Sequence, residues 1–433
     1  MADQVTLDET ILREYDIRGI VGKTIGETEF YAIGQAFGTQ LQLEKGKSVA
    51  VGFDGRLSSP SLEAAVIDGL VTTGVRVHRA GLGPSPMCYF ASHYLNTDAA
   101  LMVTGSHNPE NYNGIKMTMF GKAFYGAAID ALGTRVSTGD YLTGEGEIVH
   151  SSVFQAYVDR LIQDFSGYKD LRVAWDPGNG AAGEVVKALV KRLPGYHFVI
   201  NGEIDGRFPN HHPDPTVEEN LEQLKEYVVK KKCDLGIAFD GDGDRIGVLD
   251  GRGRVLWGDQ ILVILARPIL AELPGSMIIC DIKASQLFQD EIRRLGGKPL
   301  LWKTGHSHLK SKLAETGAPL AGEMSAHIFF KHRYYGYDDA IYSAVRLLSI
   351  LCSTEESLAE MRDSLPNYVN TPEIRFDCSE DRKFEVVKEV RSRLHDGCGY
   401  TVNDIDGVRV ENEDGWWLLR ASNTQAALVA RCE

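Results

Sequence analysis

A chain of 433 residues is too long for one hydrophobic core, so several domains of roughly 100 to 200 residues are expected. With 43% apolar and 24% charged residues its composition is that of a globular protein, and no apolar run of about 18 residues marks a membrane span. A formal net charge of −14 disfavours nucleic acid or an anionic membrane as partner, yet a few clustered arginines could still hold a small anionic substrate.

The chain opens on Met1-Ala2-Asp3-Gln4-Val5-Thr6-Leu7-Asp8-Glu9, acidic and without the basic start and apolar centre of a signal peptide. The seven cysteines are scattered and never spaced Cys-x-x-Cys, which argues for reduced thiols and a cytoplasmic location rather than a disulfide framework or zinc cluster. Ser48–Phe53 reads as a strand, followed by the turn Asp54-Gly55-Arg56 and then Leu62, Ala65, Val66, Gly69 and Leu70 at helical spacing. Further strands are expected at Val75–His78 and Ala99–Val103, the latter running into Thr104-Gly105-Ser106-His107-Asn108-Pro109.

A second unit of the same kind opens at Leu171–Trp175. Thr216-Val217-Glu218-Glu219 has the form of a capping box before an amphipathic helix, which feeds the strand Asp234–Phe239 and then Asp240-Gly241-Asp242-Gly243-Asp244-Arg245. A third unit follows, with a helix from Ile261 to Leu270 and strands at Met277–Cys280 and Leu300–Trp302. Strands alternating with helices predict α/β layers with largely parallel sheets, one architecture used three times. After about residue 366 the pattern changes to a small α+β domain: a strand at Thr371–Phe376, a helix from Asp381 to Leu394, and antiparallel strands at Gly407–Val410 and Gly415–Arg420.

Three aspartates at i, i+2 and i+4 with glycine between them can converge on one hard cation. A calcium EF-hand is excluded, because Arg245 and Gly251 stand where that loop needs glycine and glutamate, and the flanks are strands. A solvated acidic turn is the other reading, but it leaves three like charges uncompensated. Ser106 lies at the end of a strand, where α/β sheets present reactive loops. By itself it reads as a nucleophile or as a capping residue of a strand-to-helix turn, and His107 as a structural hydrogen-bonding residue. Arg420-Ala421-Ser422-Asn423-Thr424 combines a guanidinium fork with side-chain donors, suited to a non-reacting phosphate or to a plain polar turn. Gly322-Glu323-Met324-Ser325-Ala326-His327 offers a carboxylate, a hydroxyl and an imidazole, with Glu323 either accepting sugar hydroxyls or buried structurally. Gly178-Asn179-Gly180-Ala181-Ala182-Gly183 has the outline of a dinucleotide fingerprint, with Glu203 beyond it, but a close strand-to-helix turn explains the glycines as well.

Taken in order, Glu14-Tyr15-Asp16-Ile17-Arg18-Gly19, the Ser106 loop, the Asp240–Arg245 loop, Gly322–His327 and Arg420–Thr424 resemble the α-D-phosphohexomutase superfamily, and most closely its bacterial phosphomannomutase/phosphoglucomutase group. The resemblance implies three similar mixed-sheet α/β domains (1–149, 150–252 and 253–365) and a smaller C-terminal α+β domain (366–433) around a central active-site cleft. These would carry, in turn, the phosphoserine, metal-binding, sugar-recognition and phosphate-binding loops. By that likeness Ser106 is the phosphoserine, and Asp240, Asp242 and Asp244 hold one Mg²⁺ together with the Ser106 phosphate. Glu323 and Ser325 recognise sugar hydroxyls; Arg420, Ser422, Asn423 and Thr424 take the distal phosphate. Tyr15, Arg18, Lys116, Arg245, Lys283, His306 and His327 complete the lining, with Arg18, Lys116, Arg245 and His327 in catalytic roles.

The implied activity is interconversion of hexose 1- and 6-phosphates of mannose, glucose or both, through a 1,6-bisphosphosugar that also serves as activator. The implied partner is a small phosphosugar, and no protein partner, organic cofactor, membrane or nucleic acid is implied. Met324 and His327 resemble the mannose/glucose group, whereas phosphoglucosamine mutases usually carry Gln at the position of Met324. A non-catalytic phosphosugar-binding protein is the alternative of another class. Two departures from the family pattern stand out. Gln425-Ala426-Ala427 replaces the usual Thr or Glu then Pro, and the chain reaches Glu433 without the helix that normally finishes the tail domain.

Overall fold

The structure is a computed structural model that describes residues 5–394, 399–423 and 425–433. The chain falls into two compact units. One runs up to Trp257 and takes back Tyr337–Glu360; the other comprises Gly258–Gly336 and Met361–Glu433.

In the first unit the strands are β1 (Ile17–Ile20), β2 (Ser48–Phe53), β3 (Arg76–Leu82), β4 (Ala99–Val103), β5 (Tyr112–Met119), β6 (Lys122–Ala123) and β7 (Ile148–His150). They form one sheet in the order β1-β5-β4-β2-β3-β7, with β6 paired to β5. Strands β2 and β4 are near-continuous apolar runs because both faces are covered. Val49 and Val51 pack with Phe30, Ile33, Leu62 and Val66 of the helices Glu27–Leu43 and Ser59–Val71. On the opposite face Cys88, from the helix Ser85–Leu95, donates its thiol to Leu101 O at 3.2 Å.

The same unit holds a second sheet of β8 (Arg172–Asp176), β9 (Tyr196–Val199), β10 (Leu235–Phe239), β11 (Ile246–Asp250) and β12 (Val255–Leu256), ordered β12-β11-β10-β8-β9. The helix Ala340–Cys352, distant in sequence, is part of this unit. Tyr157 Oη donates to Asp339 Oδ2 at 2.9 Å and Tyr342 Oη to Asp164 Oδ2 at 2.7 Å, while Asp339 caps the helix through Tyr342 N.

The second unit contains β13 (Met277–Asp281), β14 (Lys298–Trp302), β15 (Leu320–Gly322) and β16 (Ile328–Phe330), ordered β14-β13-β15-β16. Pro299 sits in the edge strand β14, where a missing ladder donor is tolerated. Its other sheet is β17 (Ile374–Asp377), β18 (Thr401–Asn403), β19 (Val408–Asn412), β20 (Gly415–Ala421) and β21 (Ala427–Cys432), ordered β17-β21-β20-β19-β18 and antiparallel throughout. The helix Glu380–Ser392 accompanies it.

The three α/β sheets share one plan. β3-β2-β4-β5, β9-β8-β10-β11 and β14-β13-β15-β16 each place the first strand between the second and third, all parallel, with the fourth returning antiparallel beside the third. The expected threefold use of one architecture is thus present, as mixed sheets whose core is parallel.

Two local expectations differ. Thr216 caps no helix: its N–H and hydroxyl both donate to Asp214 Oδ1, at 3.0 and 2.6 Å, and a 3₁₀ turn Glu218–Leu221 precedes the helix Glu222–Lys231. The Asx turn at Asp214 captured the groups that a capping box needs. The Ser106 loop leads from β4 into the antiparallel strand β5 rather than into a helix, so there is no helix there for Ser106 to cap. Among the described residues no helix is long and apolar enough to cross a membrane.

Candidate active site

The fold puts its chemically dense loops at one topological place. The Ser106 loop joins β4 to β5, the aspartate loop joins β10 to β11, and the Glu323 loop joins β15 to β16: in each sheet, the turn from third strand to antiparallel return. The first two belong to the first unit and the last to the second.

Ser106 is buried with φ of 49°, a left-handed backbone that is costly for a non-glycine residue. Its N–H donates to Thr104 Oγ1 at 2.8 Å, and its hydroxyl donates to Asp240 Oδ2 at 3.1 Å. His107 Nδ1 lies 3.3 Å from Ser106 Oγ. Burial, reinforced by Arg245, Arg18 and Lys116, holds that imidazole well below its ordinary pKa, so it is neutral at pH 7.

Asp240, Asp242 and Asp244 are fully buried, and each presents a carboxylate oxygen within 4.8 Å of the others. Asp240 Oδ1 accepts the main-chain N–H of Asp244 and Arg245, at 3.0 and 3.1 Å, which folds the loop and leaves Oδ2 toward Ser106. Lys116 Nζ, from β5, donates to Asp242 Oδ2 at 2.7 Å and also to Asp244 Oδ2. Burial alone would lower the Lys116 pKa, but Asp242 and Asp244 hold it raised. For Asp242 burial pushes upward, and Lys116 with the Ser85 hydroxyl outweighs it, leaving the group lowered. Asp240 goes the other way: burial, then repulsion from Asp244 and Asp242, raises it well above the carboxylate range.

Lys116 bonds two of the three carboxylates, Arg245 and Arg18 act on the group by charge, and Asp240 stays raised all the same. The buried Oδ1 of Asp242 has no hydrogen-bond partner among the described residues. The donor set is all oxygen, hard and convergent, and so it fits a divalent metal ion. Arg18, on β1, is buried and paired with Asp16, and its Nη1 has no hydrogen-bond partner among the described residues. Tyr15, three residues before Arg18, is buried, and Arg245 is half-buried.

In the second unit Glu323 is buried, accepting Gly305 N at 2.5 Å on Oε1 and Ser325 Oγ at 3.0 Å on Oε2. The rings of His306 and His327 are 5.6 Å apart. Lys283 Nζ donates to Glu373 Oε2 at 3.1 Å and stands 3.7 Å from Asp281 Oδ2. Arg420 is buried and forks onto Asp406, with Nε to Oδ2 at 3.1 Å and Nη2 to Oδ1 at 3.3 Å. Ser422 accepts Gln425 N at 3.2 Å, closing the turn between β20 and β21. Asn423 is half-buried in that turn; Thr424 lies outside the described residues.

The sequence reading passed over several acidic partners. Asp54, Asp176 and Asp281 each close the first strand of one sheet's repeated pattern. Asp54 accepts Gly105 N at 3.0 Å and Asp281 accepts Met324 N at 3.0 Å, in both cases the second residue past the third strand. An aspartate directly after a β-branched run, recurring three times, was the available signal. The glycine run at Gly178–Gly183 does strand-to-helix packing: a Cβ on Gly183 would lie 2.3 Å from Gly202 O.

Family models match along the chain: phosphoglucomutase/phosphomannomutase alpha/beta/alpha domain I over residues 9–141, domain II over 155–253, domain III over 257–368, and the C-terminal domain over 373–433. A Pseudomonas putida phosphomannomutase/phosphoglucomutase is 44% identical over 427 residues, covering 99% of this chain and 92% of that one. A Neisseria gonorrhoeae phosphoglucomutase is 38% identical over 432 residues, covering 99% and 94%. Among solved structures, a phosphoglucomutase/phosphomannomutase family protein from Burkholderia thailandensis superposes with a TM-score of 0.94 at 40% identity, covering 99% of this chain and 94% of that one.

Proposed function

The chain belongs to the phosphoglucomutase/phosphomannomutase family, and from that premise we propose that it interconverts hexose 1-phosphates and hexose 6-phosphates of mannose, glucose or both. It is an intramolecular phosphotransferase, with Ser106 as the proposed phosphate carrier. The observation that supports this most directly is the Ser106 hydroxyl, 3.1 Å from Asp240 within a buried set of three aspartates and Lys116.

In the proposed cycle phosphorylated Ser106 gives its phosphoryl group to the free hydroxyl of a hexose monophosphate. The Oγ–P bond breaks as the sugar O–P bond forms, giving a 1,6-bisphosphosugar, which also serves as activator. The bisphosphate turns end for end and returns its other phosphoryl group to Ser106. Arg18, whose Nη1 has no hydrogen-bond partner among the described residues, Lys116 and Arg245 stabilise the charge on the transferring group, which is the main demand of such a transfer. Arg18, Lys116 and His327 are the candidates for moving the proton of the attacking hydroxyl. Asp240, Asp242 and Asp244, with the phosphate on Ser106, would hold one Mg²⁺ per chain, and its charge would add to theirs. Glu323 and Ser325 bind adjacent ring hydroxyls; Arg420, Ser422, Asn423 and Thr424 take the phosphate that is not reacting, and Tyr15, Lys283, His306 and His327 contribute to binding the sugar phosphate.

We further propose the four domains 1–149, 150–252, 253–365 and 366–433, which the family matches support, and a cytoplasmic location, which the unpaired Cys88, Cys233, Cys280 and Cys352 support.

Intact-mass measurement of the purified protein tests the carrier directly: one extra phosphate mapping to Ser106 is expected. Turnover of mannose 1-phosphate and glucose 1-phosphate with Mg²⁺ and a bisphosphate activator tests the substrate class. No turnover of either, with good turnover of glucosamine 1-phosphate, would overturn it.

A further inference from the structure

We propose that Arg56 is a positioning residue for phosphoryl transfer: together with Asp54 it holds the main chain of the Ser106 loop, and so sets the direction of the serine hydroxyl. The proposal rests on the reading of Ser106 as phosphate carrier.

The side chain of Arg56 is fully buried. A guanidinium has five N–H donors in one plane, and here they meet five acceptors. Nη2 donates to Ser106 O at 2.7 Å and Asn108 O at 2.6 Å; Nη1 donates to Pro109 O at 2.5 Å and Tyr112 O at 3.1 Å; Nε donates to Asp54 Oδ2 at 3.2 Å. Three of these five are carbonyls of the segment between β4 and β5, and a fourth is the carbonyl of Tyr112, the first residue of β5, so the fork lies along that loop like a template. Gly105 presses on it, since a Cβ there would lie 2.1 Å from Arg56 Nε. The Phe208 ring centroid is 5.1 Å from the guanidinium carbon.

Asp54 carries the hold to the other half of the loop. Its Oδ2 also accepts Thr104 Oγ1 at 2.8 Å and Gly105 N at 3.0 Å, while Oδ1 accepts Arg56 N and Ser59 Oγ at 3.1 and 2.5 Å. Thr104 Oγ1 accepts Ser106 N at 2.8 Å and lies 3.1 Å from Asp242 Oδ2. Bonds therefore run from Arg56 through Asp54 and Thr104 to both the nucleophile and the aspartate loop. Ser106 needs such a hold, because its φ of 49° lies in the left-handed region, which is unfavourable for a residue with a Cβ. Released, the residue relaxes out of the left-handed region and its Oγ leaves Asp240.

Among the described residues no hydrogen bond of Arg56 ends on the aspartate triad, and its contact with the site runs through the Ser106 loop, with Asp242 felt only by charge. That separates it from Arg18 and Lys116, and it fixes the signature to look for: a fall in kcat with KM for the sugar phosphate unchanged. A lysine keeps the charge but reaches at most three acceptors and lacks the planar fork.

The test uses the full chain, with rates divided by the fraction folded from circular dichroism. Arg56→Lys is expected to lower kcat by about 100-fold while KM for glucose 1-phosphate stays within about twofold. Arg56→Ala should recover part of its lost kcat in millimolar guanidinium, which mimics the fork, and not in equal methylammonium. A kcat per folded molecule within about threefold of wild type in Arg56→Lys overturns the proposal, as does a loss expressed in KM alone. Should the Arg56 variants not fold, Asp54→Asn keeps the volume and removes the anchoring charge. A kcat loss of about tenfold at constant KM then supports the proposal, and an unchanged kcat overturns it. A wild-type chain with neither phosphate on Ser106 nor mutase turnover defeats the underlying reading instead, a result that is visible before any variant is made.

Discussion

At the scale of single residues the geometry around Ser106 turns on charge balance. Lys116 is the ammonium that the structure places against Asp242 and Asp244, deep in the protein. Truncating it leaves two buried carboxylates without that partner, a change that typically costs about 3 to 5 kcal/mol. Lys116→Met is therefore expected to melt well below wild type, with millimolar Mg²⁺ recovering part of the loss and EDTA abolishing the recovery. Thermal melts in both conditions check this, and a melt insensitive to metal would argue against a cation site at the triad. Ser106→Ala has a different expected profile. It removes one hydroxyl and keeps the backbone, so the melting temperature should move by only a few degrees, while mutase turnover falls by at least about 1,000-fold and the extra phosphate mass disappears. A fully active Ser106→Ala protein would refute the relay.

At the scale of elements, the shared strand order explains why three unrelated-looking loops carry the chemistry. In each α/β sheet the third strand ends where a turn must reverse the chain into an antiparallel partner, and in two of the three an aspartate at the end of the first strand accepts a main-chain N–H from that turn. That device has a pH consequence in the second unit. Burial, with Glu323 opposing the pull of Lys283, pushes the Asp281 carboxyl from 3.8 up to about 6. The folded chain thus holds that proton more tightly than the unfolded one. The associated stability is fully present below pH 3.8 and is lost as pH rises through about 6, by at most about 3 kcal/mol. Asp281→Asn keeps an acceptor for Met324 N and does not titrate, so its stability relative to wild type should increase between pH 4 and pH 7. Urea titrations at the two pH values measure the difference, and an equal difference at both would contradict the assignment. How much of this was legible beforehand follows the same division. The strands announced themselves through apolar runs, whereas the aspartate partner of two of the loops lay 43 and 51 residues away, as Met324 does from Asp281 and Gly105 from Asp54.

For the whole molecule, the acidic total conceals local basic lining: Arg18, Lys116 and Arg245 in one unit, Lys283 and Arg420 in the other. Each of the two cations Lys283 and Arg420 is held by a carboxylate, Glu373 and Asp406 respectively, so the protein itself fixes where their charge lies. Chelation of the wild-type enzyme should reduce turnover by more than about 100-fold, and Mg²⁺ should restore it. Asp242→Asn should not be restored at the same metal concentration. Turnover that survives exhaustive chelation would contradict the metal proposal.

Residue order alone determined the alternation of strands and helices, the change of character after about residue 366, and the chemical content of each loop, since these depend on neighbours a few positions apart. Tertiary structure decided the rest. It set Ser106 at a left-handed φ on a turn between antiparallel strands, because β5 pairs back along β4 and Arg56 fixes the carbonyls between them. It assigned the helix Ala340–Cys352 to the first unit through Tyr157 and Tyr342, and gave Lys116 to two of the three aspartates. Such pairings join residues 50 to 182 positions apart, and which acceptor a buried donor meets is settled only when the chain has closed around both.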